Sequence, residues 1–165
     1  MHVFSYVKKP EKEKHILIGA ASVLILFTSL LFEHVFDFPV CKLCLYERYP
    51  YVGAVGFSLF GFFFHKNASA LLFTRSLLIF TFLVSFGLSA YHVMIEYGII
   101  PLPDFCKTDL LKATSFEELK AQIMNTKKLV PCNAASAKVL FLTLAEWNTI
   151  ISFLLLISAW LLKKK

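Results

Sequence analysis

Charge is what this sequence has least of. Only 17% of its 165 residues are Asp, Glu, Lys or Arg, and it contains just 6 Gly and 6 Pro. An ordinary globular chain is about 25% charged and about 45–50% apolar. Here 58% of residues are hydrophobic and 18 of them are Phe. That balance excludes a disordered chain. It also argues against a water-soluble domain, because a core this small cannot hide so much apolar surface. The length fits one compact domain with no room for a second large one.

The apolar residues are gathered into long runs free of formal charge: Ile16–Phe32, Tyr49–Phe64, Ser76–Tyr91 and Trp147–Leu162. A lipid-spanning helix needs about 20 residues, with a lower limit near ~17. Each run reaches that length once its polar flanks are included. The runs lack a period of two and are too long for barrel strands. The expected architecture is therefore an all-α, four-transmembrane-helix bundle in a single membrane domain (1–165). Its spans lie at about 15–33, 46–65, 71–94 and 144–162. A soluble bundle of buried helices is the alternative, but little polar material is left to build its outside. The first run has the basic flank of a signal peptide, yet Phe32, Glu33 and His34 follow it in place of a small-residue cleavage site. It reads as a retained first helix.

Orientation follows from the basic residues. Segment 1–15, the 65–75 link and the last three lysines hold nine of the 17 basic residues and two of the 11 acidic ones. Basic residues near span ends favour the cytoplasm. Both termini are accordingly expected there, with loops 34–45 and 96–143 on the opposite side. The net charge of +6 marks topology and implies no nucleic acid.

All four cysteines then fall outside: Cys41, Cys44, Cys106 and Cys132. In a bacterium that side permits disulfides, and four cysteines allow three connectivities. The first outer segment reads Phe38-Pro39-Val40-Cys41-Lys42-Leu43-Cys44-Leu45-Tyr46-Glu47-Arg48. A tight turn can bring its two thiols together. With a helix beginning near Leu43, Cys44 sits in the first turn, where free backbone N–H groups favour a thiolate. Arg48 lies on the same face about one turn deeper, placed to stabilise a thiolate or a reduced oxyanion. Its other reading is a snorkelling headgroup anchor. Glu47 reads as a solvated interfacial charge. A CxxC can also be half of a zinc site, but the other cysteines are 26 apart and no His-x3–5-His accompanies them. No metal is expected.

The second outer segment opens with Gly98, Pro101 and Pro103, which end the third span. Thr114 or Ser115 can cap a short helix bearing Phe116, Leu119 and Ile123 on one face, suited to the membrane surface. Cys106 and Cys132 sit on either side of it. Closing them would join a loop of about 26 residues, with a disulfide exposed to an incoming thiolate. Such a pair, beside another at the lipid edge, suits relay of electrons by thiol–disulfide exchange. Nothing in the sequence suggests a haem, flavin or nucleotide site, so a membrane quinone is the simplest acceptor. His92 and Glu96, four apart, either cap a helix or approach that acceptor. Trp147 reads as an interfacial belt residue and Asn148 as a bond across helices.

Four motifs carry a family resemblance: Pro39-Val40-Cys41-Lys42-Leu43-Cys44-Leu45-Tyr46-Glu47-Arg48, Tyr91-His92-Val93-Met94-Ile95-Glu96-Tyr97-Gly98, Pro131-Cys132, and Leu144-Ala145-Glu146-Trp147-Asn148. Together with four spans, they resemble the disulfide bond formation protein B family of bacterial inner-membrane oxidoreductases. The resemblance implies that Cys106 forms a mixed disulfide with a periplasmic thioredoxin-fold disulfide oxidase and that Cys132 resolves it or relays the electrons. It implies that Cys41 and Cys44 pass the electrons to ubiquinone or menaquinone, with Cys44 engaging the quinone and Arg48 beside it. Two departures stand out. Small residues, Ala134-Ala135-Ser136-Ala137, replace an aromatic after the second Pro-Cys, and Val40 separates Pro39 from Cys41. A relative of vitamin K epoxide reductase, an outward-reducing thiol relay and an inactive disulfide-stapled membrane scaffold are the alternatives. The early position of the CxxC tells against the vitamin K epoxide reductase type.

Overall fold

In the computed structural model, residues 11–107, 130–134 and 138–162 are described. Among the described residues are four long helices and one short one: α1 (Glu11–His34), α2 (Lys42–Tyr46), α3 (Arg48–Phe63), α4 (Ala68–Glu96) and α5 (Leu144–Trp160). A 3-10 turn covers Asp104–Cys106, and a small antiparallel hairpin pairs β1 (Lys138–Val139) with β2 (Leu142–Thr143). The surface helix expected around Phe116, Leu119 and Ile123 lies outside the described residues.

The long helices make a membrane bundle. By length and composition α1 and α4 can each cross a bilayer, and α5 is a shorter apolar helix. The 16 residues of α3 rise about 24 Å at about 1.5 Å each. Glu47 joins α2 to α3 with helical backbone angles (φ −63°, ψ −17°), so the two helices extend one another. Pro50 lies in the first turn of α3, where a missing N–H costs no helical bond.

Helix α1 packs on α3, α3 on α4, and α4 on α5, while α1 and α5 barely touch. The ring of helices is thus open along one seam. Small and hydroxylated residues fill the packed interfaces: Ala54, Ser58, Thr74, Ser85, Ser152 and Ala159 are all buried. Several hydroxyls donate to the carbonyl four residues back, as Ser22 does to Ile18 (2.9 Å) and Thr74 to Ala70 (2.9 Å). This satisfies them without water. Leu24, Phe63, Phe80 and Trp160 face outward and are more than half exposed. Polar groups inside and apolar groups outside are what lipid, not water, selects.

The helix ends follow local chemistry. Asn67 caps α4, its Oδ1 accepting from the Ser69 and Ala70 amides. At the other end Gly98 adopts φ +71°, the left-handed conformation that glycine takes without strain. Its amide bonds to Ile95 O and that of Ile99 to Met94 O, which closes the last turn. The chain is thereby turned toward Pro101, Pro103 and the 3-10 turn that holds Cys106. Thr143 and Glu146 form a reciprocal capping box at the start of α5.

Candidate redox site

Both cysteine pairs sit at one end of the bundle, within a single buried cluster. Cys41, Leu43, Ile95, Cys106 and Cys132 form its centre, with Cys44, Tyr91, Leu102 and Val130 packed around them. The loops are tied by a backbone bond from Val130 N to Val40 O at 3.1 Å. Cys106 and Cys132 are disulfide-bonded. Their expected exposure is corrected: Cys106 is 2% exposed and Cys132 0%. The Pro-rich turn after Gly98 folds back and lays the disulfide against Leu43 and Ile95.

Cys41 is the N-cap of α2, and its Sγ accepts from the Cys44 amide at 3.1 Å. The two sulfurs of this pair are 2.7 Å apart. Helix-start stabilisation therefore falls on Cys41, not on Cys44 as the sequence suggests. The Cys44 thiol, and then its amide, donate to Cys41 and hold its pKa below the usual thiol value despite burial. Donation to Cys41, burial and the neighbouring thiolate push Cys44 well above it. Within the reduced pair Cys41 is therefore the more acidic thiol and Cys44 the less acidic.

A chain of buried polar side chains leads inward from Cys41. Its Sγ lies 3.5 Å from His92 Nε2. The other ring nitrogen, Nδ1, is 2.9 Å from Glu47 Oε1. Asn148 donates from Nδ2 to Glu47 Oε2 at 2.7 Å, and the Tyr51 hydroxyl donates to Asn148 Oδ1. Tyr51 and Ser85 each reach the Ser152 hydroxyl, at 2.9 and 3.0 Å. A carboxylate on Nδ1 fixes a proton there and leaves Nε2 as the ring nitrogen that faces Cys41. Thiol, imidazole and carboxylate then stand in the order of a nucleophile, its base and the group that orients the base. Glu96 Oε1 lies 4.0 Å from the same Nε2, and its Oε2 accepts from the Thr143 hydroxyl at 2.8 Å.

The open seam between α1 and α5 ends here as a cavity of about 390 Å³. Phe32, Phe38, Leu144 and Ile151 give it apolar walls, and Cys44, Arg48 and His92 line the same space. Arg48 is held in its wall by Glu33, Nη1 to Oε2 at 2.6 Å. A flat apolar ring with carbonyl oxygens fits this lining, since the walls are hydrocarbon and the polar groups are an arginine, an imidazole and a thiol. A larger, open groove of about 650 Å³ between α3 and α4 is lined by residues such as Tyr46, Tyr49, Phe80 and Phe105. Among the described residues its lining holds no thiol, carboxylate, guanidinium or imidazole, whereas the seam cavity is lined by all four.

The geometry brings together all six residues singled out in the sequence: Cys41, Cys44, Arg48, His92, Cys106 and Cys132. It also corrects Glu47, which is not a solvated interfacial charge but 6% exposed and bonded to His92 and Asn148. Tyr51 and Ser152 were missed, since both read as span residues; a tyrosine inside an apolar run was the available signal. Trp147 donates its ring N–H to Val139 O at 2.9 Å and so braces the hairpin in addition to lining the cavity.

A four-helix membrane bundle with two adjacent cysteine pairs and an apolar cavity beside one of them defines a membrane thiol oxidoreductase. The family profile described as "Disulfide bond formation protein DsbB" matches residues 12–162. The chain belongs to that family, whose members are inner-membrane, multi-pass protein-disulfide:quinone oxidoreductases. The family's activity is oxidation of dithiols to disulfides coupled to quinone reduction. The chain is also similar to an uncharacterized protein of Rickettsia prowazekii (strain Madrid E), 28% identical over 156 residues, covering 93% of this chain and 88% of that one.

Proposed function

We propose that Cys106–Cys132 oxidises a periplasmic thioredoxin-fold disulfide oxidase and that Cys41 and Cys44 carry the electrons to ubiquinone or menaquinone. The observation that carries this reading is the packing of both pairs in one cluster, with Cys44 open to the seam cavity. A partner thiolate attacks Cys106 and displaces Cys132 as a thiolate; the second partner thiol then resolves the mixed disulfide. The partner leaves oxidised, and the second pair holds two electrons and two protons. Attack of that pair on the Cys41–Cys44 disulfide hands both on and restores Cys106–Cys132.

Bound quinone supplies the acceptor for two electrons and two protons. Around it this chain does the positioning. His92 Nε2 accepts the proton that Cys41 releases, and Glu47 stabilises the imidazolium so formed. Arg48, fixed by Glu33, presents positive charge where negative charge develops in a poorly hydrated site. In this reading both termini are cytoplasmic, the single domain spans the membrane four times, and loops 34–45 and 96–143 are periplasmic. The placement of all four cysteines and the basic flanks support it.

The test is turnover in detergent with a reduced thioredoxin-fold oxidase, using ubiquinone and menaquinone in separate assays. Matched loss of partner thiols and quinone is expected, with each Cys→Ala variant inactive in turnover. Full turnover by any of the four variants would sink the relay. Reduced Cys132→Ala is expected to attack the oxidised partner's disulfide through Cys106, displacing the partner's second thiolate, and to hold the partner as a mixed disulfide at Cys106.

A further inference from the structure

We infer that Cys41, Cys44 and His92, once the pair is reduced, form a binding site for a thiophilic divalent cation of the zinc class. The Sγ, Sγ and Nε2 atoms all lie within 4.8 Å of one another. Cys41 Sγ is 2.7 Å from Cys44 Sγ and 3.5 Å from His92 Nε2. Zinc–sulfur bonds of about 2.3 Å and zinc–nitrogen bonds of about 2.0–2.1 Å put tetrahedral ligand atoms roughly 3.6–3.8 Å apart. The histidine contact already has nearly that spacing, and the sulfurs need part by only about 1 Å.

Two features separate this cluster from a bare dithiol. Glu47 Oε1 holds His92 Nδ1 at 2.9 Å, the carboxylate–histidine arrangement that aims a ring nitrogen at a metal and raises its basicity. The second feature is burial: Cys41 is 0% and His92 1% exposed, and Cys44 is half-buried. The site is gated by redox state, because a Cys41–Cys44 disulfide offers no thiolate. Cation binding to the dithiol displaces the remaining thiol protons to solvent and leaves the oxidation state unchanged. The binding is independent of the electron relay proposed above; its consequence, a block on reoxidation of the pair, rests on that relay.

Cobalt(II) titration of the reduced full-length chain carrying Cys106→Ser and Cys132→Ser tests the site, since only the first pair then remains. One cobalt per chain is expected, with a near-ultraviolet thiolate charge-transfer band, tetrahedral visible bands and displacement by zinc. The oxidised protein should show none of these. Glu47→Gln should weaken binding by about 10–100-fold with the same spectrum, and His92→Ala should lose the tetrahedral bands. No bands in the reduced parent, bands in the oxidised protein, or equal affinity in His92→Ala would each overturn the site. Zinc added to the reduced, otherwise native chain before quinone should abolish turnover. Zinc bound with turnover intact would leave the site standing and overturn the relay.

Discussion

Replacing Glu47 by glutamine changes one atom, yet the surroundings make it a severe test. Both neighbours of the carboxylate are donors: His92 Nδ1 at 2.9 Å and Asn148 Nδ2 at 2.7 Å. A glutamine has one acceptor end, so its NH2 must meet one of them. Asn148 cannot turn over freely, because its Oδ1 accepts from Tyr51. The remaining adjustment is in His92, whose proton moves to Nε2 so that Nδ1 can accept. An N–H then faces Cys41 where a base stood. A hydrogen bond to a charged group is worth about 1.5–3 kcal/mol, which sets the stability loss. Loss of a positioned base costs about 10²–10⁴-fold in rate, which sets the loss in turnover. The assay is quinone-coupled oxidation of a thioredoxin-fold dithiol across pH, with thermal unfolding measured in parallel. Turnover and pH profile matching the parent, on a folded variant, would refute the orientation of His92 by Glu47.

Three further outcomes are expected. Donation from Cys44 lowers the Cys41 pKa, so Cys41 stays ionised below the ordinary thiol range and its thiolate absorbance is lost only as pH falls through the lowered value. In Cys44→Ala that loss should move to higher pH, and an unchanged titration would contradict the assigned donor. Gly61→Ala should destabilise the bundle by about 1–3 kcal/mol, since an added Cβ would lie 2.8 Å from the His15 ring and 2.9 Å from Thr74 Cγ2; thermal unfolding in detergent reads this directly. Tyr51→Phe removes the donor to Asn148 and should cost about 1–3 kcal/mol, with the melting temperature falling and both disulfide pairings retained.

The helical architecture was legible because lipid imposes it on composition. The charge-free run Ser76–Tyr91 lies wholly inside α4, and Gly98 marks the end of that helix as it does in the sequence. The cysteines, Arg48 and His92 could be picked out because each is a rare residue type in an apolar chain. Burial was not legible. Glu47 follows a CxxC at a membrane edge, and locally that reads as a solvated charge; its partners His92 and Asn148 are 45 and 101 residues away. The same distance hides Tyr51, whose bonds to Asn148 and Ser152 depend on how α3 packs near α5. The Cys106–Cys132 disulfide looked exposed because a Pro-rich loop carries no sign of folding back onto Leu43 and Ile95. The choice of Cys41 as the cap depended on where α2 begins, and a start at Lys42 in place of Leu43 moved the helix-start stabilisation to Cys41.

The most direct measurement is a count of partner dithiols oxidised by a chain in which Cys41 and Cys44 are both alanine, with quinone in excess. Cys106–Cys132 alone should oxidise a single equivalent per chain and then stop, with no quinone consumed. Sustained oxidation matched by quinone loss would show that electrons reach the quinone without the Cys41–Cys44 pair, contradicting the relay.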